Sequence, residues 1–147
     1  MKRAQGVVTV TAWAQAEALV MPVRTEVFVV EQGVPMEIER DLLDPVCRHA
    51  IARGPGGGVI GTGRLLPDGH IGRMAVLRSA RGAGVGGAVL EALIDEALRL
   101  GMVEVALNAQ THALGFYLRH GFEPHGDVFM EADIAHRAMR RALRAAR

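Results

Sequence analysis

The segment from Arg81 to Gly86 offers the clearest chemistry in this chain, because three glycines stand where a strand-like run gives way to a helix-like run. The first turn of a helix has backbone N–H groups without intrahelical partners and about half a positive charge, which together favour a phosphate. Gly82, Gly84 and Gly86 allow close approach of a ligand and positive φ angles, and Arg81 can add a bidentate contact. The segment therefore predicts a pyrophosphate-binding loop.

Spacing distinguishes three kinds of phosphate loop. The Walker type is excluded, because it requires a lysine after the last glycine, where this chain continues with a further glycine and apolar residues. Gly82-x-Gly84-x-x-Gly87 does match the dinucleotide fingerprint, and Glu104 follows about 20 residues later, as that fingerprint expects. Residues 78–81 separate it from the preceding strand, however, and Glu104 begins the next apolar run. The context therefore disfavours a dinucleotide site.

The pattern Arg81-x-x-Gly84-x-Gly86 resembles the coenzyme A loop, Gln/Arg-x-x-Gly-x-Gly/Ala, of the GNAT superfamily of acyl-CoA-dependent N-acyltransferases. Other segments also resemble regions of that family, in the same order and at the same spacing. Ile71 to Val76 resembles the strand that holds the pantetheine arm. Val105 to Gln110 and Ala113 to Phe122 resemble the second signature region of the family. The resemblance extends from about Arg24 to Met139.

This resemblance implies an α/β (α+β) fold of the GNAT type. Such a fold has a mixed, largely antiparallel central sheet of about six to seven strands, about four flanking helices, and splayed strands at the coenzyme A site. The strand-like and helix-like runs of the chain occur in an order that suits it. Strands are predicted at 7–11, 48–53, 59–66, 70–76, 103–107, 122–129 and 136–141, and helices at 14–20, 22–30, 85–100 and 113–120.

Individual residues predict where several elements begin, end or pack. Pro22 is expected to end one helix and start the next, and Thr111 to cap the helix at 113–120. Asp95 and Arg99 are expected to pair at i,i+4 on the long helix. The apolar face of that helix is predicted from Val85, Val89, Ala92, Leu93, Ala97 and Leu100.

The family resemblance also assigns residues to the donor, acetyl-CoA. A backbone N–H near Val76 is the expected oxyanion donor. No metal is expected, since the six histidines are scattered and the chain has one cysteine. The residues expected to bind the coenzyme are Met74, Ala75, Val76, Arg81, Gly82, Ala83, Gly84, Val85, Gly86, Gly87, Asn108 and Tyr117.

Acyl transfer to an amine requires two proton movements. An amine with a pKa of about 10.4 must lose a proton before it attacks, at a cost of roughly 4–5 kcal/mol at pH 7. The departing thiolate can then accept a proton from a phenol. Tyr117, the one tyrosine in the sequence, is therefore predicted as the general acid, with core packing as the alternative role.

The general base is less clearly marked. Glu31 is predicted, because residues 28–34 resemble the amine-side helix and loop of the small bacterial, ElaA-like branch of the family. The groups that could reach a cleft are Glu26, Glu31, Glu104, Asp127, Glu131 and His136. The residues expected on the substrate side are Arg24, Arg64, Arg73 and His136. For each charge, a solvated position or a simple salt bridge is the alternative.

Composition suits one small domain over residues 1–147, with half of the residues apolar. A formal net charge of +1 indicates neither a nucleic-acid partner nor a membrane surface. Cys47, the one cysteine, excludes an internal disulfide and favours a reducing compartment, so a cytoplasmic protein is expected. Cys47 could act as a nucleophile with His49, but a buried structural thiol is favoured, which predicts direct transfer in a ternary complex.

The resulting hypothesis is an N-acetyltransferase that moves an acetyl group from acetyl-CoA to a primary amine of a small molecule or peptide. A non-catalytic acyl-CoA-binding or sensing module of the same fold is the alternative. A third hypothesis, an RNA or membrane binder, rests on the arginines from Arg137 to Arg147 and is disfavoured, because such segments usually form solvated faces. A homodimer is left open, since edge strands of this fold often pair, and the fold does not define the acceptor.

Overall fold

The computed structural model describes residues 7–39 and 41–143, which form two antiparallel sheets packed with helices. The first sheet has the order β1-β2-β3-β4 and the second has the order β5-β7-β6. The strands are β1 Val8–Ala12, β2 Arg48–Arg53, β3 Val59–Leu65, β4 Ile71–Val76, β5 Glu104–Gln110, β6 Glu123–Glu131 and β7 Ile134–Ala142. The α-helices are α1 Trp13–Arg24, α2 Met36–Glu39, α3 Val85–Arg99 and α4 Leu114–Arg119. The predicted mixed, largely antiparallel fold is confirmed.

The two sheets meet where β4 and β5 begin to run side by side. Among the described residues, one isolated parallel bridge joins His70, which directly precedes β4, to Ala106 of β5. The carbonyl of Gly69 accepts a hydrogen bond from the Ala106 N–H at 3.1 Å. Gly69 has a φ of +97°, and a Cβ there would lie 2.8 Å from the Glu104 carbonyl oxygen, so glycine is required. Beyond the bridge the strands belong to different sheets, which confirms the predicted splay.

Helix α3 packs against the first sheet, and its buried side chains share one core cluster with side chains of β5 and β7. The predicted face was partly wrong, because Leu90 and Ile94 are also buried while Leu100 is 47% exposed beyond the helix end. The sheet approaches closely at Gly63, where a Cβ would lie 2.7 Å from the Met74 sulfur and 3.0 Å from Leu93. The buried side chains of the helix are Val85, Val89, Leu90, Leu93, Ile94, Glu96 and Ala97.

Two local predictions are wrong, one because of a tertiary contact and the other because a 3₁₀ turn precedes the helix. Arg99 pairs with Glu96 rather than Asp95, and Glu96 also accepts a bond from Arg48 of β2, at 3.0 Å. Helix α4 follows a 3₁₀ turn at Thr111–Ala113, and no side chain of the described chain caps it, so Thr111 is not the expected cap. The last predicted strand is confirmed as β7, while the end of the basic tail, Arg144 to Arg147, lies outside the described residues.

Pro22 does not separate two helices, contrary to prediction. Helix α1 continues through it and passes into a π-helical segment at Thr25–Glu31. The N–H of Thr25 donates to the carbonyls of Met21 and Pro22, so the helix continues past the proline. The wider turn is seen at the end of the segment, where the N–H of Gln32 donates to the carbonyl of Val27, five residues earlier, at 3.1 Å. Such π turns are rare and occur often at functional sites.

Arg24, at this junction, is 1% exposed and is held by two carboxylates. Its Nε lies 2.6 Å from Glu39 Oε2, and its two terminal nitrogens lie 3.0 Å from the two oxygens of Asp44. Arg64 of β3 donates to Asp44 at 2.8 Å and to Asp41 at 2.7 Å. Burial raises the pKa of the Asp44 carboxyl, but hydrogen bonds and charge from Arg24 and Arg64 outweigh it and lower the pKa. We call the set Arg24, Glu39, Asp41, Asp44, Arg64 and Arg73 the arginine–acid cluster.

We expect Arg24→Met to lower the free energy of unfolding by about 3–5 kcal/mol, because it leaves Glu39 and Asp44 buried without their main cation. Arg53→Met is the matched control, since Arg53 is exposed at the end of β2, and it should change stability by less than about 0.5 kcal/mol. Urea unfolding at pH 7 measures both variants. A loss below about 1 kcal/mol in Arg24→Met would contradict a stabilising role of the cluster.

Lowering the pH should reduce the difference in free energy of unfolding between the wild type and Arg24→Met. The pKa of Asp44 is lowered in the folded state, so its contribution to stability is complete above the unfolded-state value of about 3.9. That contribution is lost as the pH falls through the folded-state pKa. Unfolding curves between pH 7 and the acid transition measure this convergence, and a constant difference would contradict it.

Candidate active site

A cleft of about 1300 Å³ opens where β4 and β5 diverge. Its walls come from the end of β4, the start of α3, the outer part of β5, helix α4, and the π-helical segment. Pockets for a single small ligand occupy about 300–1,000 Å³. The cleft is therefore large enough for two substrates side by side.

The glycine loop forms the start of α3, as predicted. Gly82 and Gly84 both have a φ of +87°, and Gly84 is the N-cap residue of α3. No side chain among the described residues caps this helix, so the N–H groups of its first turn face the cleft without a capping oxygen. Gly86 differs from the expectation of positive φ, because it lies within the helix. A Cβ at Gly86 would touch the Phe116 ring at 3.6 Å.

Arg81 and Glu31, two predicted site residues, bind each other across the cleft. The terminal nitrogens of Arg81 lie 2.6 and 2.7 Å from the two Glu31 oxygens, and its Nε donates to the Val76 carbonyl at 2.9 Å. Arg78 adds a longer contact to Glu31, at 3.3 Å. The hydrogen bond from Arg81 lowers the pKa of Glu31, which makes this carboxylate a weaker proton acceptor. In this arrangement Arg81 fixes the end of β4, and a phosphate contact would require it to leave Glu31.

The edge of β4 that faces the cleft is shaped by a bulge. Thr62 pairs with Ala75 and Arg64 with Gly72, so Arg73 and Met74 both face Gly63 of β3. Arg73 has a φ of +49°, a left-handed conformation that is uncommon outside glycine. The bulge directs Arg73 to the Glu39 carbonyl at 3.2 Å and to Asp41 at 3.3 Å. Bulges of this kind redirect side chains next to active sites.

The predicted substrate-side arginines occupy different positions. Arg64 and Arg73 line the cleft, but Arg24 is enclosed by Glu39 and Asp44 and supports the wall from behind. The two terminal nitrogens of Arg64 are bound by Asp44 and Asp41, while its buried Nε has no partner among the described residues. Arg73 has the most exposed side chain of the three arginines. The sequence did not indicate these carboxylate partners.

Tyr117 lies on α4 and lines the cleft, as predicted, while 9% of its surface is exposed. Its ring meets Phe116 edge-on at 5.0 Å and Phe122 at 5.9 Å. Burial raises the pKa of the phenol to about 12, so it stays protonated at neutral pH. Among residues 7–39 and 41–143, no group forms a hydrogen bond to its hydroxyl.

Strand β5 contributes polar side chains to the opposite wall. Asn108 lines the cleft as predicted, and Gln110 does so as well, with its Nε2 donating to Gln32 at 3.1 Å. This bond joins the end of β5 to the π-helical segment. Gln110 was not predicted as a site residue, although the alternation of buried Val105, Leu107 and Ala109 along the strand would have indicated its face.

Of the six candidate bases, three line the cleft: Glu31, Glu131 and His136. His136 is 8% exposed and lies opposite Gln110 in the β5–β7 ladder. Its Nδ1 is 2.6 Å from the Ile134 carbonyl oxygen, and its ring stacks on Phe129 at 5.9 Å. Glu104, by contrast, begins β5 beside Arg140, and Glu26 and Asp127 lie away from the lining.

Cys47 is buried, and its thiol contacts the Leu43 carbonyl at 3.2 Å. Burial raises the pKa of the thiol, which agrees with the favoured structural role. Within the described part of the chain, no group of three or more His, Cys, Asp or Glu side chains is arranged to hold a metal ion. None of the helices in that part is both long and apolar enough to cross a membrane.

Comparison with known proteins identifies the family. A family model described as "Acetyltransferase (GNAT) domain" matches residues 8–143. The chain belongs to the GNAT acetyltransferase family. YjcF from Bacillus subtilis, named an uncharacterized N-acetyltransferase, is 41% identical over 121 residues, which cover 80% of this chain and 86% of YjcF. The expected family is thus confirmed.

Solved structures agree with this GNAT assignment. The crystal structure of an acyl-CoA N-acyltransferase from Pseudomonas aeruginosa is 36% identical, with a TM-score of 0.81 over 92% of this chain and 99% of that chain. Escherichia coli ElaA is 27% identical, with a TM-score of 0.82 and coverage of 92% and 99%. GNAT proteins use acyl-CoA donors and amine acceptors in general, so this chain is an acyltransferase.

We expect Gly84→Ala to weaken coenzyme A binding by about tenfold or more, equivalent to about 1.4 kcal/mol, because a left-handed φ strains alanine and shifts the start of α3. Gly101→Ala is the matched control. Gly101 has a similar φ of +83° at the other end of the same helix, and no atom lies within 4 Å of its added Cβ. Isothermal titration with coenzyme A measures the affinities. Equal affinities in the two variants would contradict a ligand at the start of α3.

Proposed function

We propose that this chain is a single-domain N-acetyltransferase. It transfers the acetyl group of acetyl-CoA to a primary amine of a small molecule or peptide, by direct attack in a ternary complex. The observation that carries the proposal is the glycine-capped start of α3, which opens into the space between β4 and β5. Both halves of the reaction need that space, one for the coenzyme and one for the acceptor.

We orient the donor in the cleft from the start of α3. Its pyrophosphate would lie on the N–H groups at the start of α3, where the helix dipole favours an anion. The pantetheine arm would run along the open edge of β4, from Val76 toward Met74, because an edge strand offers backbone donors and acceptors for its amides. Asn108 on the opposite wall would bind the same amides. The thioester, at the end of the arm away from the pyrophosphate, would then lie beside the backbone N–H groups of the bulged part of β4 near Met74, which can stabilise the oxyanion.

Tyr117 supplies a proton to the leaving sulfur in this proposal. Because its pKa is about 12, the phenol is protonated in essentially every molecule at neutral pH. The same high pKa disfavours a lasting tyrosinate, so Tyr117 would regain a proton from the acylated nitrogen as it gives one to the sulfur. Both atoms would have to lie beside its hydroxyl, which the position of Tyr117 in the cleft lining supports.

We expect Tyr117→Phe to lower kcat by about 10²–10⁴-fold while the affinity for acetyl-CoA stays within about threefold, because the variant loses a proton donor but keeps the ring. In the wild type, Tyr117 should cause no alkaline loss of activity below about pH 11, since its pKa is about 12. Steady-state rates and calorimetry measure the two properties. Normal acetylation by Tyr117→Phe would contradict the role as general acid.

The acetyltransferase is tested by release of free thiol from acetyl-CoA with a panel of primary amines, which contains amino acids, polyamines, small aromatic amines and a peptide. We expect release above the amine-free background with at least one of these classes. A thermal shift with acetyl-CoA is recorded in parallel. Silence across the panel with an intact thermal shift would favour the non-catalytic acyl-CoA-binding module.

A further inference from the structure

We propose that His136 is the general base that takes a proton from the acceptor amine, an assignment that rests on the proposed acetyl transfer. His136 lies on β7 between Gln110 of β5 and Phe129 of β6, and it lines the cleft. Gln110 in turn is bonded to Gln32, so His136 lies beside the strand that contacts the end of the π-helical segment. In this proposal the glycine loop holds the coenzyme and the amine enters on the side of His136.

The hydrogen bond of His136 selects the imidazole tautomer that a general base requires. A carbonyl oxygen can only accept, so the short contact to Ile134 requires the proton on Nδ1. In the neutral ring, Nε2 then carries the lone pair. Nδ1 is turned back to its own strand, so Nε2 is on the ring edge directed away from the backbone. The stacked Phe129 ring, inclined by 24°, holds the imidazole plane.

Rival carboxylates in the cleft are occupied by cations. Glu31 is bonded by Arg81 and Arg78, and Asp41 by Arg64 and Arg73. Such pairing stabilises the charged form and weakens a carboxylate as a proton acceptor.

The remaining titratable groups around His136 are few. Its register neighbours, Gln110 and Phe129, do not titrate. Farther along the same strands, His112 lies just beyond β5 and is bonded to Gln110, and Glu131 ends β6 in an exposed position. Unlike His112 and Glu131, His136 has a buried side chain, a ring held in place by its contacts, and a lone pair directed away from its strand.

The acceptor ammonium gives one proton to Nε2 of His136, and the amine nitrogen then attacks the thioester carbon. The C–N bond forms and the C–S bond breaks. The second nitrogen proton passes to Tyr117 as the phenol protonates the sulfur, and the His136 imidazolium returns its proton to solvent. The products are an amide, the free thiol of coenzyme A and one proton.

The kinetic test compares His136→Gln with the wild type, using the amine that gives the highest rate in the panel. We expect kcat/KM to fall by about 10²–10⁴-fold. We also expect the acid limb of the pH profile of kcat/KM, which reports protonation of the base, to disappear. His136→Ala should regain at least about tenfold activity with added imidazole. His125→Gln is the matched control, an exposed histidine on β6 that should keep both rate and acid limb.

If the wild type is active and His136→Gln keeps both the rate and the acid limb of the pH profile, the base assignment alone is overturned. Absence of turnover in the wild type would instead overturn the proposed acetyl transfer. The ring itself is tested without any acceptor, by ¹⁵N NMR of histidine-labelled wild-type protein bound to coenzyme A. We expect a proton on Nδ1 of His136, and a proton on Nε2 of the neutral ring would overturn the assignment even if the variants fail to fold.

Discussion

A single parallel bridge governs the architecture of the part of the chain that the structure describes. The turn at Gly69 approaches β5 so closely that its carbonyl bonds to Ala106, and the two strands part directly afterwards. Helix α3 packs on the first sheet and shares a core cluster with side chains of β5 and β7, so the separation opens a cleft at the edge of the core rather than through it. The space for ligands thus follows from backbone pairing, before any site residue is considered.

The wall opposite α3 is stabilised by charge rather than by strand pairing. The arginine–acid cluster joins the π-helical junction, the segment that follows α2, and strands β3 and β4. Three guanidinium groups and three carboxylates neutralise one another, and bidentate contacts provide direction as well as attraction. Replacing such a cluster with apolar groups could preserve stability, but it would not orient the bulged segment of β4 in the same way.

Local sequence signals predicted most helices and strands, but not the tertiary partners of their side chains. The glycine turns and β-branched runs predicted the strands closely, because those signals reside in adjacent residues. Arg99 and Pro22 were misassigned, since Glu96 gains a second partner from β2 and the turn after Pro22 widens to a π-helix. The glycine loop could be predicted for the same local reason. The pairing of Arg81 with Glu31 could not, because 50 residues separate them and only the fold brings them together.

The Arg81–Glu31 ion pair sets a condition on any anion that approaches the glycine loop. The Glu31 carboxylate presents two oxygens to Arg81 much as a phosphate would, so it acts as an internal competitor for the same guanidinium. Any nucleotide that recruits Arg81 must release Glu31, and its observed affinity reports the exchange rather than the new contact. Re-formation of the ion pair would then favour departure of any ligand that had recruited Arg81, which links ligand release to a carboxylate on the far side of the cleft.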